Sequence, residues 1–175
     1  MPNNAKCFTC RFRWFARELK TEVAFSGIWA ISREKFIAIW DTGATNTCIS
    51  AKIAEKLNLT PVGYSKIYTA WGERNTEDYY VDIVLPNGVL VQHVRTTKAD
   101  LSGGDALIWM DIIGLGDFAI SKDKNGNMIF SFIIPSQWEI DFVAQVHKEN
   151  LNEHLTNQEL QRKRGHNNRK KKKRR

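Results

Sequence analysis

The chain is poor in the residues that staple small secreted folds together. Only three of its 175 residues are cysteine. That odd number, with Cys7 and Cys10 three positions apart, makes no disulfide framework, and reduced thiols are expected. Four prolines and 11 glycines leave no sign of low complexity over most of the length. No run of about 18 or more apolar residues occurs, and the start Met1-Pro2-Asn3-Asn4-Ala5-Lys6 lacks an apolar signal-peptide core. The expectation is a soluble, cytoplasmic protein with no membrane partner. Acidic residues are missing from 162–175, where ten Lys or Arg stand. Taking those ten from the 26 basic residues leaves 16 against 19 acidic ones over 1–161, so the net +7 of the chain becomes −3 without its tail. The basicity therefore belongs to the tail, which has no apolar side chain, is expected to be disordered in isolation, and carries enough cations for salt-dependent binding of nucleic acid.

What is present is 42% hydrophobic residues, enough for one domain with a real core. Phe36-Ile-Ala-Ile-Trp40 is aromatic or β-branched apart from Ala38 and reads as a buried strand. It ends abruptly in Asp41-Thr42-Gly43-Ala44, where Gly43 permits a sharp turn. A carboxylate at the end of a buried strand costs desolvation unless hydrogen bonds or a partner compensate, and its pKa is open to tuning. Taken alone, the tripeptide also fits a turn-capping aspartate.

Two further segments accompany it: Ala106-Leu-Ile-Trp-Met-Asp111-Ile-Ile113 and Gly116-Asp-Phe-Ala-Ile120, followed by Phe130-Ser-Phe-Ile-Ile-Pro-Ser136. With the Asp41 loop these resemble, in the right order over roughly residues 22–136, the retropepsin-like aspartic proteases, the family of retroviral proteases and their bacterial relatives. Trp109 departs from the pattern, standing where the family usually has Gly between the apolar pair and Met-Asp. If a small residue is needed for packing against the Asp41 loop, an indole there alters that contact.

The remaining segments are read from their residues. Cys7 and Cys10 have no nearby third Cys or His, so a zinc site is not supported, and residues 1–21 read as an amphipathic lead-in segment. Glu22–Ile31 reads as a strand, joined by Ser32-Arg33-Glu34 to the strand that carries Asp41. Ser50 suits the N-cap of a short helix with Ile53 and Leu57 on one face. Tyr68 to Asn75 is a hairpin with Gly72 near its tip, and Pro86-Asn87-Gly88 a second hairpin turn. Lys122 to Asn127 lacks the acid that a calcium loop needs at its end. Trp138 to Leu160 has a loose helical pattern, giving a peripheral helix over 137–161 in one or two pieces before the tail of 162–175.

The resemblance implies an all-β, retropepsin-like acid-protease barrel over 22–136 with one or two short helices. It implies an aspartic endopeptidase acting on peptide or protein substrates without metal or cofactor. Amide hydrolysis by water needs a base and an acid, and two carboxyl groups sharing one proton supply both. This chain has one Asp-Thr-Gly, so the second carboxylate is expected from a second copy, making a homodimer with two Asp41 on its axis. Thr42 and Gly43 take from the family the roles of bracing the two loops and letting them approach. Ala44 is expected beside the substrate, and Tyr68, Trp71 and Gly72 in a flap that closes over it. Two alternatives stand beside this reading: a catalytically impaired peptide-binding dimer, with Trp109 disabling the water site, and a nucleic-acid-associated dimer that works through its tail.

Overall fold

Strand β3 (Glu34–Trp40) is paired along both edges, and its last three residues, Ala38, Ile39 and Trp40, are buried in succession, while Ile37 faces solvent. It pairs antiparallel with β2 (Leu19–Gly27), Leu19 opposite Trp40, and parallel with β8 (Ala106–Ile108), Trp40 opposite Ile108. The computed structural model describes residues 4–43, 46–69, 72–152 and 156, without the side chains of 67–69 and 72. The other elements of the domain are β1 (Lys6–Phe12), β4 (Cys48–Ile49), α1 (Ala51–Lys56), β5 (Gly63–Thr69), β6 (Gly72–Val84), β7 (Leu90–Lys98), α2 (Met110–Ile113), β9 (Asp117–Lys122) and β10 (Met128–Ile134).

Strands β2, β3, β8, β4, β7 and β6 follow one another around a ring that closes where β6 pairs back onto β2, and β5 hangs on β6. The result is a closed six-stranded barrel with few short helices. The all-β retropepsin-like class expected from the sequence holds. Val23, Phe25, Phe36, Val81, Ile83 and Ile108 are among the side chains that fill it. A second sheet, in the order β1-β10-β9, lies against the barrel end that carries Trp40. In this sheet Phe8, Phe118, Phe130 and Phe132 surround the indole of Trp40 at centroid distances of 5.1–6.5 Å. The indole N–H donates to Thr21 Oγ1 at 2.8 Å. A buried tryptophan with its polar atom satisfied is thus fixed immediately before Asp41.

Residues 1–137 form one compact unit and 138–175 another. The segment read as a lead-in supplies β1, whose Phe8, Cys10 and Phe12 pack on the core. Strand β2 ends at Gly27 rather than Ile31. Ala30 N–H bonds Gly27 O at 3.1 Å, Trp29 takes φ 69°, and Trp29 and Ile31 point into solvent. Local turn bonding there overrides the β propensity of Ile28 to Ile31. Ser50 occupies the N-cap position of α1, but its hydroxyl makes no capping bond. Gly116 is a place where only glycine fits, because a Cβ there would lie 2.0 Å from Ile133 O. In the second unit a helix covers 142–152, opened by Asp141, whose Oδ1 accepts from Ala144 N–H at 3.0 Å. No helix among the described residues is long and apolar enough to cross a membrane. Residues 162–175 lie outside the described residues.

Candidate active site

Asp41 follows β3 directly. Its N–H donates to Ile108 O at 2.9 Å, carrying the β3–β8 pairing one residue further. The carboxylate is partly exposed, and its Oδ1 accepts the N–H of Gly43 at 2.8 Å. A Cβ on residue 43 would sit 3.1 Å from that oxygen, so glycine lets the loop fold back on its own carboxylate. Thr42 and Gly43 are both exposed. Asp41 and Thr42 line a cleft of about 700 Å³ whose walls come from the 15–19 segment, the 100–102 loop, Leu107, and Phe118, Ile120 and Met128 of the small sheet.

The far end of the loop is held by Thr47 and Asp111. Thr47 is fully buried. Its N–H donates to Asp111 Oδ2 at 2.9 Å and its hydroxyl to Asp111 Oδ1 at 2.7 Å, while Thr47 Oγ1 accepts Trp109 N–H at 3.2 Å. Ile112 N–H adds a further bond to Asp111 Oδ1 at 3.0 Å. Every contact on this carboxylate comes from a donor. An asparagine would turn an amide N–H toward one of those donors. Asp111→Asn and Thr47→Val are each expected to lower stability by about 1–2 kcal/mol, a fall in Tm of roughly 4–8 °C. Thermal unfolding of the two variants checks this, and a Tm within a degree of the parent would mean that the link carries no load.

Trp109, the departure from the family pattern, sits at the N-cap of α2 with ordinary extended backbone, φ −110° and ψ −169°. Its carbonyl accepts Ile112 and Ile113 N–H at 3.0 and 2.9 Å. The backbone there does not require glycine. Its indole Nε1 is buried with no hydrogen-bond partner among the described residues. Cys48, close to the loop, is no candidate nucleophile: burial, then the charges of Asp111 and Asp78, push its thiol up to about 12.

Of the residues singled out from the sequence, Asp41 and Thr42 line the cleft, and Gly43 donates its N–H to the Asp41 carboxylate. Ala44 and Trp71 lie outside the described residues. Tyr68 and Gly72 are in the backbone of the β5–β6 hairpin, with Tyr68 opposite Glu73 and Gly72 opposite Thr69. Reading by sequence missed Arg17, Leu101, Phe118 and Met128 as cleft residues, and Thr47 as partner of Asp111. The register Leu19 opposite Trp40 would have pointed to Arg17, but that register is a tertiary fact.

A family model described as "gag-polyprotein putative aspartyl protease" matches residues 29–114. That span takes in the Asp41 loop, the β5–β6 hairpin, β8 and α2. Among solved structures, the chain is similar to a retropepsin-like aspartic protease from Rickettsia conorii. The TM-score is 0.50 and the identity 16%, over 75% of this chain and 96% of that one. The simian foamy virus (mac) protease is 23% identical over 55% of this chain and 92% of its own, with a TM-score of 0.42. The EIAV protease is 18% identical over 56% and 86%, with a TM-score of 0.44. No curated protein matches. The family model seated on the Asp41 loop and the fold shared with the rickettsial protein together support a retropepsin-like family for this chain.

Proposed function

We propose that the chain is an aspartic endopeptidase that works as a homodimer, hydrolysing peptide bonds with a water held between two Asp41 carboxylates. The observation that carries this reading is a partly exposed Asp41 at the wall of a cleft, on a loop whose Thr42 and Gly43 are uncovered. A single Asp-Thr-Gly in the chain leaves the second carboxylate to a second copy. In the reaction one ionised Asp41 takes a proton from water as its oxygen attacks the peptide carbonyl carbon. The protonated Asp41 of the other copy gives its proton to the carbonyl oxygen. Collapse of the resulting diol breaks the C–N bond, and a proton passes to the leaving amine. Thr42 bonds across the axis, and Gly43 lets the two loops approach. The β5–β6 hairpin, with Tyr68, Trp71 and Gly72, closes over the substrate next to Ala44 and excludes water. A cytoplasmic location, expected from three unpaired cysteines, belongs to the same proposal.

The test is turnover of a peptide library as the protein is diluted. Specific activity should fall with concentration in step with the dimer fraction measured by sedimentation, and kcat/KM should trace a bell in pH with two apparent pKa values belonging to the pair. Activity independent of concentration across dimer dissociation would remove the second copy from the mechanism. A second reading, a peptide-binding dimer without turnover, draws on the buried indole N–H of Trp109 beside the loop, which has no partner among the described residues, and binding of peptides with no cleavage would favour it. Nucleic-acid association through 162–175 is a separate proposal that rests on ten cations over fourteen residues.

A further inference from the structure

The cleft that holds Asp41 has charged side chains on its wall whose partners differ. Glu18 is engaged by Lys20 at 2.7 Å. Asp100 faces Arg74 of β6 at 3.7 Å. Arg17 is exposed and has no carboxylate within ion-pair distance among the described residues. Arg17 lies two residues before the start of β2, where Leu19 stands opposite Trp40, and it lines the same cleft as Asp41 and Thr42. The wall around it is largely apolar, with Phe15, Leu101, Phe118 and Ile120.

A guanidinium at the mouth of an apolar cleft loses water on one face once a peptide covers it. That loss is unfavourable unless an anion replaces the water, and a carboxylate does so with charge-assisted and often bidentate hydrogen bonds. An apolar side chain at the same place would strip the cation and give nothing back. We infer that Arg17 reads a carboxylate side chain of the substrate, so that this cleft selects peptides carrying Asp or Glu close to the bond to be cut. The inference rests on the peptidase reading of Asp41 and deepens it by naming the substrate class. Two copies around an axis bring two Arg17, and an acidic residue on either side of the scissile bond meets one of them.

The experiment uses the full chain and pairs of cleaved peptides that differ only in Glu against Gln, scanned along the positions flanking the cut. The parent protein should prefer Glu at one or more positions by about fivefold in kcat/KM, mainly through KM, with the preference shrinking as salt is raised. Arg17→Gln should bring the Glu/Gln ratio to about one. Arg17→Glu should invert it, so that the matching Lys peptide is cut faster than the Glu peptide. A residue that only supported the fold would slow all peptides together and leave the ratio alone. Cleavage with no acidic preference, or a preference that survives Arg17→Glu, would overturn the inference while leaving the peptidase reading in place. If the parent protein cuts no peptide, the peptidase reading falls and the inference falls with it.

Discussion

Asp41→Asn is expected to reduce peptide hydrolysis by about a thousandfold or more, with barrel and dimer intact. The amide is nearly isosteric with the carboxylate, and its oxygen can still accept the Gly43 N–H that now ends 2.8 Å from Asp41 Oδ1. What is lost is the ionisable pair. Two amides cannot take a proton from water, and one amide beside one carboxylate cannot share a proton. Mixing parent and variant protein therefore gives a sharper test than the variant alone. After exchange of subunits in an equal mixture, about a quarter of the dimers carry two aspartates, so activity should drop to about a quarter of the unmixed parent at the same total concentration. A drop to one half would mean that each copy works by itself. Wild-type turnover by the variant would take Asp41 out of the mechanism altogether.

The strand-end carboxylate is legible in the sequence because its signals are local. An apolar run stopping at Asp41, with Gly43 two residues on, needs no knowledge of the rest of the chain, and the buried faces of β3 and β10 follow from residue type. The surroundings of Asp41 are not local. Arg17, Leu101 and Phe118 reach one cleft only because β2 pairs with β3 in one register and the small sheet packs on Trp40. Thr47 and Asp111 are 64 positions apart, and neither residue type announces the other. Residues 6–12 have the period-two pattern Phe8, Cys10, Phe12 that a strand needs, but Lys6 in the same phase, with Arg11 and Arg13 between and after, reads equally well as an amphipathic lead-in. The partner that decides between them, β10, begins more than a hundred residues later.

Asp78→Asn should destabilise the domain by about 3 kcal/mol at neutral pH and by clearly less in acid. The carboxylate is fully buried in β6. It accepts Ser65 Oγ of β5 at 2.6 Å, Arg95 Nη2 of β7 at 2.7 Å and Thr97 Oγ1 of β7 at 2.9 Å. Three strands are thus tied at the base of the β5–β6 hairpin, and the variant would leave one of these donors facing an amide N–H. Burial pushes the pKa of Asp78 up, but the bonds from Ser65, Arg95 and Thr97, with the charge of Arg95, together outweigh it and hold the group below the ordinary carboxylate range. The direction sets the pH dependence. Because the folded protein favours the charged form, the stabilisation is complete above the unfolded-chain value of about 3.9 and is lost as pH falls through the lower folded value. The asparagine variant has no such group, so the gap between parent and variant should narrow below pH 4 in denaturant unfolding. A gap of the same size at both pH values would show that the stability of this hairpin base does not depend on the charge of Asp78. The same hairpin is the one proposed to close over substrate, so acid should loosen its base as Asp78 is protonated. Asp78→Asn should therefore lessen the acid slope of stability without abolishing it, because Asp105 and Asp123 are also held below the ordinary carboxylate range and keep contributing to it.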